Sequence, residues 1–491
     1  MKYLNPILFA DFSDPDVIRV GEDFFMVTSS FNFCPAVPIL HSKNLVEWRL
    51  VNYVAKTLPE EKFNAVLNGN GAWAPSIRFF NGVYYCLIPL PDDGVYVSTT
   101  RDPFGTWSPL RKLIDGSGII DPCPIWADGK AYIVTAFAKS RVGFNSMLAV
   151  YEADESLTKL IYPDYKIVYD GHNDNPTIEG PKFYRIGEYF YILAPAGGVK
   201  TGWQTALRSK NVYGPYESKI ILMQHNSDVN GPHQGALVDL EDGGWAFVHF
   251  QDFGAVGRIV HLQPVTWKQN WPLCGAVDDT PVAGTPVKED EYPVDIKTDY
   301  CLQKSDDFSG DKLSLMWQMS ANFNEKYFTL NGGLNAICKY CNLPLNEVPQ
   351  MISCRIYGTQ FFATVQFKKL FACDGDEAGF GIFGDNYIFI RAIKRALDTR
   401  VEIVKMNDGK VSTMTVLDSC NRQLTLGVSG KINAQKDLDC DIYLGQDVVY
   451  RHFTARSGKW VGARLGIYAL NSKSQTSGGK AIFTNFNYKE V

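Results

Sequence analysis

Three carboxylates stand in like places along the chain. Asp14 lies in SDPDVIRV, Asp121 in IIDPCPIW and Glu179 in TIEGPKFY. Each is followed within two residues by a proline and then by a short apolar strand. Carboxylates gathered in a partly dry cleft raise the pKa of at least one of them. The result is one neutral acid able to give a proton near pH 7, beside others still ionised. A protonated and an ionised carboxyl are the apparatus of glycoside cleavage. A gap of roughly 6.5–9.5 Å between them admits a water and inverts the anomeric centre. Taken singly, each acid has a plainer reading: Asp before Pro caps a turn, and Glu before Gly-Pro is solvated. Recurrence at three matching places favours convergence.

The elements that would bring the three together are repeated hairpins. Five segments align on a proline, a strand, a glycine turn and a second strand: DPDVIRVGEDFFMVTSS from Asp14, APSIRFFNGVYYCLIPL from Ala74, DPCPIWADGKAYIVTAF from Asp121, GPKFYRIGEYFYILAPA from Gly180 and GPHQGALVDLEDGGWAFVHF from Gly231. Each reads as a β-hairpin, with its proline at the first strand position, where a missing N–H is tolerated. Intervals of 47 to 60 residues between the prolines leave room for two further strands per unit. Five units of four strands predict a five-bladed β-propeller. Equivalent positions at the start of the innermost strands then face one central channel.

The pattern stops after Trp271. The stretch Gly275 to Asp295 is rich in Pro, Gly and acids and reads as a linker. From about Cys301 strand-like stretches resume, among them FFATVQF, GFGIFGDNYIFIRAI, RLGIYALN and AIFTNFNYKEV. The expected fold is all-β: a five-bladed propeller over residues 1–290, followed by a concanavalin-like β-sandwich over 300–491.

Composition sets outer bounds. The chain has 491 residues, enough for more than one core. Lys plus Arg total 48 against 53 Asp plus Glu, a net charge of −5 with no basic stripe, which argues against a nucleic-acid partner. No apolar run is long enough to span a bilayer. The start, MKYLNPILFADFSDPD, lacks a secretory h-region, so the chain reads as cytoplasmic as written, and as secreted or periplasmic if a leader has been removed. The 11 cysteines have no framework spacing. The pair Cys338 and Cys341 in CKYC has metal-site spacing but no second CxxC, which favours plain packing. No GxSxG, HExxH or P-loop is present.

With these motifs in view, the chain resembles glycoside hydrolase family 43 along nearly its whole length. The stretches that carry the resemblance are SDPDVIRVGEDFFMVTSSF, VPILHSKNLVEW, NGAWAPSIRF, IIDPCPIWADGKAY, IEGPKFY, GPHQGALVD and GRIVHLQPVTW. The resemblance implies a propeller enzyme that inverts, and, with the C-terminal sandwich, an exo-acting β-xylosidase or α-L-arabinofuranosidase on xylooligosaccharides or arabinoxylan. It implies Asp14 as the general base, Glu179 as the general acid and Asp121 as the carboxylate that orients the acid and raises its pKa. It also implies Phe31 and Trp73 as walls of the sugar pocket, Arg258 as a donor to the terminal sugar beside Asp14, and a channel calcium held by His233 and waters. Cys123 and Pro124 replace the usual aromatic after the third-unit Asp-Pro, and Ala36 replaces a common glycine, departures that the resemblance places near the pocket. Some long relatives close the pocket with an aromatic from the sandwich; no residue is assigned to that place. Two other readings stay open: α-L-arabinofuranosidase as the main activity, and a non-catalytic sugar-binding propeller. Oligomeric state is not legible.

Overall fold

The structure, a computed structural model, describes residues 1–278, 282–396, 398–418, 423–473 and 478–491. Five four-stranded antiparallel sheets follow one another, each with its strands in sequence order. Blade one is built from Asp16–Val20, Asp23–Val27, Ala36–Ser42 and Arg49–Ala55. Blades two to five begin with Ser76–Phe80, Ile119–Ala127, Lys182–Ile186 and His233–Asp239. These first strands ring the axis. Those of blades one and two, two and three, three and four, and five and one are in contact.

The local chemistry of the hairpins is plain. Phe80 pairs with Val83 across Asn81-Gly82, and Ala127 with Lys130 across Asp128-Gly129. Both loop residues have positive φ in each case (49° and 76°; 51° and 71°). That is the two-residue turn whose twist matches the flanking strands and that Asn-Gly and Asp-Gly adopt most readily. The prolines stand one residue before the expected place in blades one, two, four and five, directly ahead of Asp16, Ser76, Lys182 and His233. In blade three Pro122 falls within a bulge between Ile120 and Cys123. In none of these places must the proline supply a ladder hydrogen bond.

The ring closes through the N-terminal segment. Leu8 and Val260 exchange backbone hydrogen bonds at 3.3 and 3.0 Å, and Phe12 N donates to Arg258 O at 3.0 Å. Lys2–Leu4 pairs antiparallel with Glu289–Glu291, so the stretch expected as a linker includes a strand held against the propeller. Asp279, Thr280 and Pro281 of that stretch lie outside the described residues.

Beneath the mouth of the channel, buried charges tie the blades together. Asp16 Oδ2 of blade one accepts from Arg78 Nη1 and Ile77 N of blade two, both at 2.8 Å. Arg78 Nη2 contacts Cys123 Sγ of blade three at 2.8 Å. The fully buried Lys182 of blade four donates to Pro75 O at 2.9 Å and lies 3.9 Å from Asp16. Such a network is costly to break from one side, because each removal strands a buried charge.

Two large sheets form the sandwich, one including Asp376–Phe383, Tyr387–Arg395 and Arg464–Asn471, the other Gln360–Leu370, Gln423–Ile432 and Lys480–Glu490. Its apolar core is continuous with that of blades one and five, through Phe12, Trp48, Trp317 and Met319. Backbone bonds cross between the two units, from Cys34 N to Met319 O at 3.0 Å and back at 2.7 Å. Cys338 packs in this core, whereas Cys341 packs in a separate cluster with Leu345, Tyr387 and Tyr468. The two thiols of CKYC therefore serve different apolar layers. No helix among the described residues is long and apolar enough to cross a membrane.

Candidate active site

All seven singled-out residues line one cavity at the channel mouth. Asp14, Phe31, Trp73, Asp121, Glu179, His233 and Arg258 bound it, together with Ala74, Ile120, Val199, Gln234 and Trp460. Its volume is about 110 Å³, the share of only a few waters.

The blades deliver the acids through kinked backbone. Asp14 and Asp121 have φ of +56° and +55°, values that a non-glycine residue rarely adopts and that cluster where function holds them. Glu179 is followed by Gly180 at φ +59°, and Glu179 N donates to Pro195 O of the adjacent strand at 3.1 Å. A Cβ on Gly180 would lie 2.7 Å from the Gln234 side chain, besides the strain of its φ. His233 heads blade five beside a second bulge. In blades three and five the first strand breaks its ladder at the rim, which frees a side chain to turn into the cavity.

Each acid has a different setting. Asp14 is buried, takes two bonds from Arg258 Nη1 at 3.0 and 3.2 Å, and accepts from Ser29 Oγ at 2.5 Å. The Arg258 pair is charge-assisted and so among the stronger hydrogen bonds available. Asp121 is buried and accepts from Gly180 N at 2.8 Å. Burial first, then the charge of Glu179 and more weakly that of Asp14, push the Asp121 carboxyl up to about 7, against the opposing pull of the Gly180 amide and Lys182. Glu179 has its side chain 38% exposed and meets His233 Nε2 at 3.0 Å. The upward push thus falls on Asp121, a carboxyl buried beside two others.

His233 is nearly fully buried, and its Nδ1 has no hydrogen-bond partner among the described residues. No group of three or more His, Cys, Asp or Glu among the described residues could hold a metal ion. His233 Nδ1 is thus a donor free to face an ion here, although calcium takes mainly oxygen ligands, which water would have to supply in large part.

Two expectations about pocket shape are corrected. Cys123 lies below the cavity, where its sulfur meets Arg78 and Phe183 N. Ala36 pairs with Ala55 within blade one. Neither they nor Pro124 line the cavity. Position along the strand explains this, since residues two and three beyond Asp121 are already inside the blade. Trp460 is the residue that sequence reasoning missed. It stands in SGKWVGA on the loop before Arg464–Asn471 of the sandwich, with φ +68°. Its ring is edge-on to Trp73 at 6.4 Å and 5.9 Å from the Arg258 guanidinium. A tryptophan standing between two glycines just ahead of a strand is the signal that could have found it.

With this geometry in hand, known proteins add a frame. The sequence pattern of Glycosyl hydrolases family 43 matches residues 3–272. The pattern of the Beta xylosidase C-terminal Concanavalin A-like domain matches residues 305–489. The chain is 41% identical over 330 residues to a putative beta-xylosidase of Xylanibacter ruminicola, covering 67% of this chain and 60% of that protein. The chain thus spans about 60% of the length of that relative. It is 25% identical over 536 residues to a xylosidase/arabinosidase of Butyrivibrio fibrisolvens, covering 99% of both. The crystal structure of a xylan beta-1,4-xylosidase from Bacillus halodurans C-125 superposes with a TM-score of 0.85 at 21% identity, covering 99% of this chain and 100% of that one, which establishes the common fold.

Proposed function

The chain belongs to glycosyl hydrolases family 43, and from that premise we propose that it is an exo-acting, inverting glycosidase that releases terminal xylose, and also arabinofuranose, from xylooligosaccharides or arabinoxylan. The observation that carries the reading is the convergence of Asp14, Asp121 and Glu179 from three blades on one small cavity. A cavity this small favours a single terminal sugar unit over a long chain, which supports exo action. The names of the two relatives support pentose specificity.

In the proposed mechanism Asp14 takes a proton from a water as its oxygen bonds the anomeric carbon. The bond from that carbon to the leaving oxygen breaks as Glu179 gives that oxygen its proton. Arg258 holds Asp14 by two hydrogen bonds, and its guanidinium can also donate to a hydroxyl of the bound sugar. Phe31, Trp73 and Trp460 supply apolar ring surface around the site. Asp121, hydrogen-bonded to the amide that follows Glu179, fixes the peptide that carries the acid.

The test is hydrolysis of an aryl β-D-xyloside and an aryl α-L-arabinofuranoside, with the released sugar followed by NMR. Cleavage with the α anomer of xylose appearing first is expected. First appearance of β-xylose would overturn the inverting assignment, and cleavage of neither substrate would return the chain to a sugar-binding role. Faster turnover of the arabinofuranoside would make arabinofuranosidase the main activity.

Calcium remains part of the proposal through His233 Nδ1. A cation on that nitrogen would leave the proton on Nε2, aimed at Glu179, and so fix the tautomer. Chelation is expected to lower kcat/KM by about tenfold, the scale of losing an outer support of a site, with recovery on adding calcium. A His233→Ala variant should not respond to chelator at all. Unchanged wild-type activity after exhaustive chelation would remove the ion from the scheme.

A further inference from the structure

We propose that Asp11, outside the reacting carboxylates, is a positioning residue that docks the sandwich loop carrying Trp460 onto the active site. The inference rests on the glycosidase reading for its kinetic test but on geometry for its origin. Asp11 is buried, just upstream of Asp14. Its Oδ1 accepts from Arg258 N and from Ser13 Oγ, both at 3.0 Å. Its Oδ2 accepts from Gly462 N at 2.9 Å, across the boundary between propeller and sandwich. One carboxylate thereby holds the backbone of the arginine that grips Asp14 and the backbone two residues beyond Trp460.

The loop has no slack at this point. A Cβ on Gly462 would lie 2.3 Å from Val256 O, and one on Gly257 would lie 2.5 Å from Asp11 Cγ. Ala463 N donates to Ala255 O at 2.8 Å beside them. The Asp11 main chain is fixed in turn, because its carbonyl accepts from Arg355 Nε of the sandwich at 2.7 Å. Trp460, with its unfavourable φ, must be held from outside its own turn, and Asp11 is the charged acceptor in reach of that turn's exit.

An isosteric amide separates the two arms. In Asp11→Asn the single oxygen stays where two donors converge, on Arg258 N and Ser13, and the amide nitrogen faces Gly462 N, donor against donor. The propeller tie survives and the sandwich tie is lost. Expected on an aryl β-D-xyloside is a KM raised about tenfold, the scale of one buried charge-assisted hydrogen bond, with kcat within about twofold. Trp460→Ala should shift KM in the same direction. The double variant should be no worse than Trp460→Ala alone, because both changes act through one side chain. Amide hydrogen exchange should quicken in residues 456–463 of Asp11→Asn while Arg464–Asn471 stays protected. Multiplying effects in the double variant, or unchanged exchange in the loop, would overturn the proposal. If the wild type cleaves no aryl glycoside, the functional reading falls and the exchange measurement alone decides the anchor.

Discussion

Glu179→Gln is expected to lose turnover according to its leaving group. On a xylobiose-like substrate, whose departing oxygen is a poor leaving group, kcat should fall by about 10³-fold, within the usual range for removing a general acid. On a dinitrophenyl xyloside, whose phenolate departs without help, the fall should be less than about tenfold. The asymmetry follows from the place of the side chain. Glu179 projects into the cavity with 38% exposure, so it can reach an oxygen outside the enclosed ring, while Asp121 is buried behind it. The amide keeps a hydrogen-bonding group toward His233 Nε2, so the fold and the binding of sugar should persist. Asp14→Asn should behave differently, with a large loss on both substrates, because water activation does not depend on the leaving group. Equal losses across leaving groups for Glu179→Gln would move the acid role elsewhere.

The propeller and its acids were legible because the chain repeats itself. Proline, strand, turn and strand recur five times, and turns such as Asn81-Gly82 follow from residue type alone. Once the repeat is seen, Asp14 and Asp121 stand in register, with Glu179 one residue further back, without any knowledge of distance. What the repeat could not carry was anything between the two units. Trp460 reaches the pocket because the sandwich docks through a continuous apolar core, and docking depends on loop lengths and surface shape, which leave no periodic mark. Asp11 reads in sequence as one more acid before a turn, and only its burial between Arg258 N and Gly462 N gives it a task. The division of labour between Asp121 and Glu179 was likewise out of reach, since it depends on which carboxyl is shut off from water.

Asp121→Asn is expected to cost activity and to stabilise the fold above neutral pH. In the folded protein the Asp121 carboxyl is pushed up to about 7, by burial first and by the charge of Glu179 next. Unfolded, it titrates near 4. Between these values the folded state holds a proton that the unfolded state has released. Stability is therefore lost as pH rises from about 4 to about 7, and the penalty reaches about 4 kcal/mol above that window. Asparagine cannot ionise, and its amide oxygen can still accept from Gly180 N. Thermal unfolding at pH 8 should place Asp121→Asn above the wild type by several degrees, while at pH 4 the two should nearly coincide. Catalysis moves the other way. The Asp121 carboxyl, kept protonated up to about pH 7 by burial first and by the charge of Glu179 next, titrates within the working range, and asparagine removes that titration. The variant should lose about 10²-fold in kcat/KM at its optimum, and its profile should lack the step near pH 7 that the wild type shows. A variant less stable than the wild type at pH 8 would mean that Asp121 contributes through its hydrogen bond more than it costs through its buried charge, and the trade between stability and catalysis at this carboxylate would not exist.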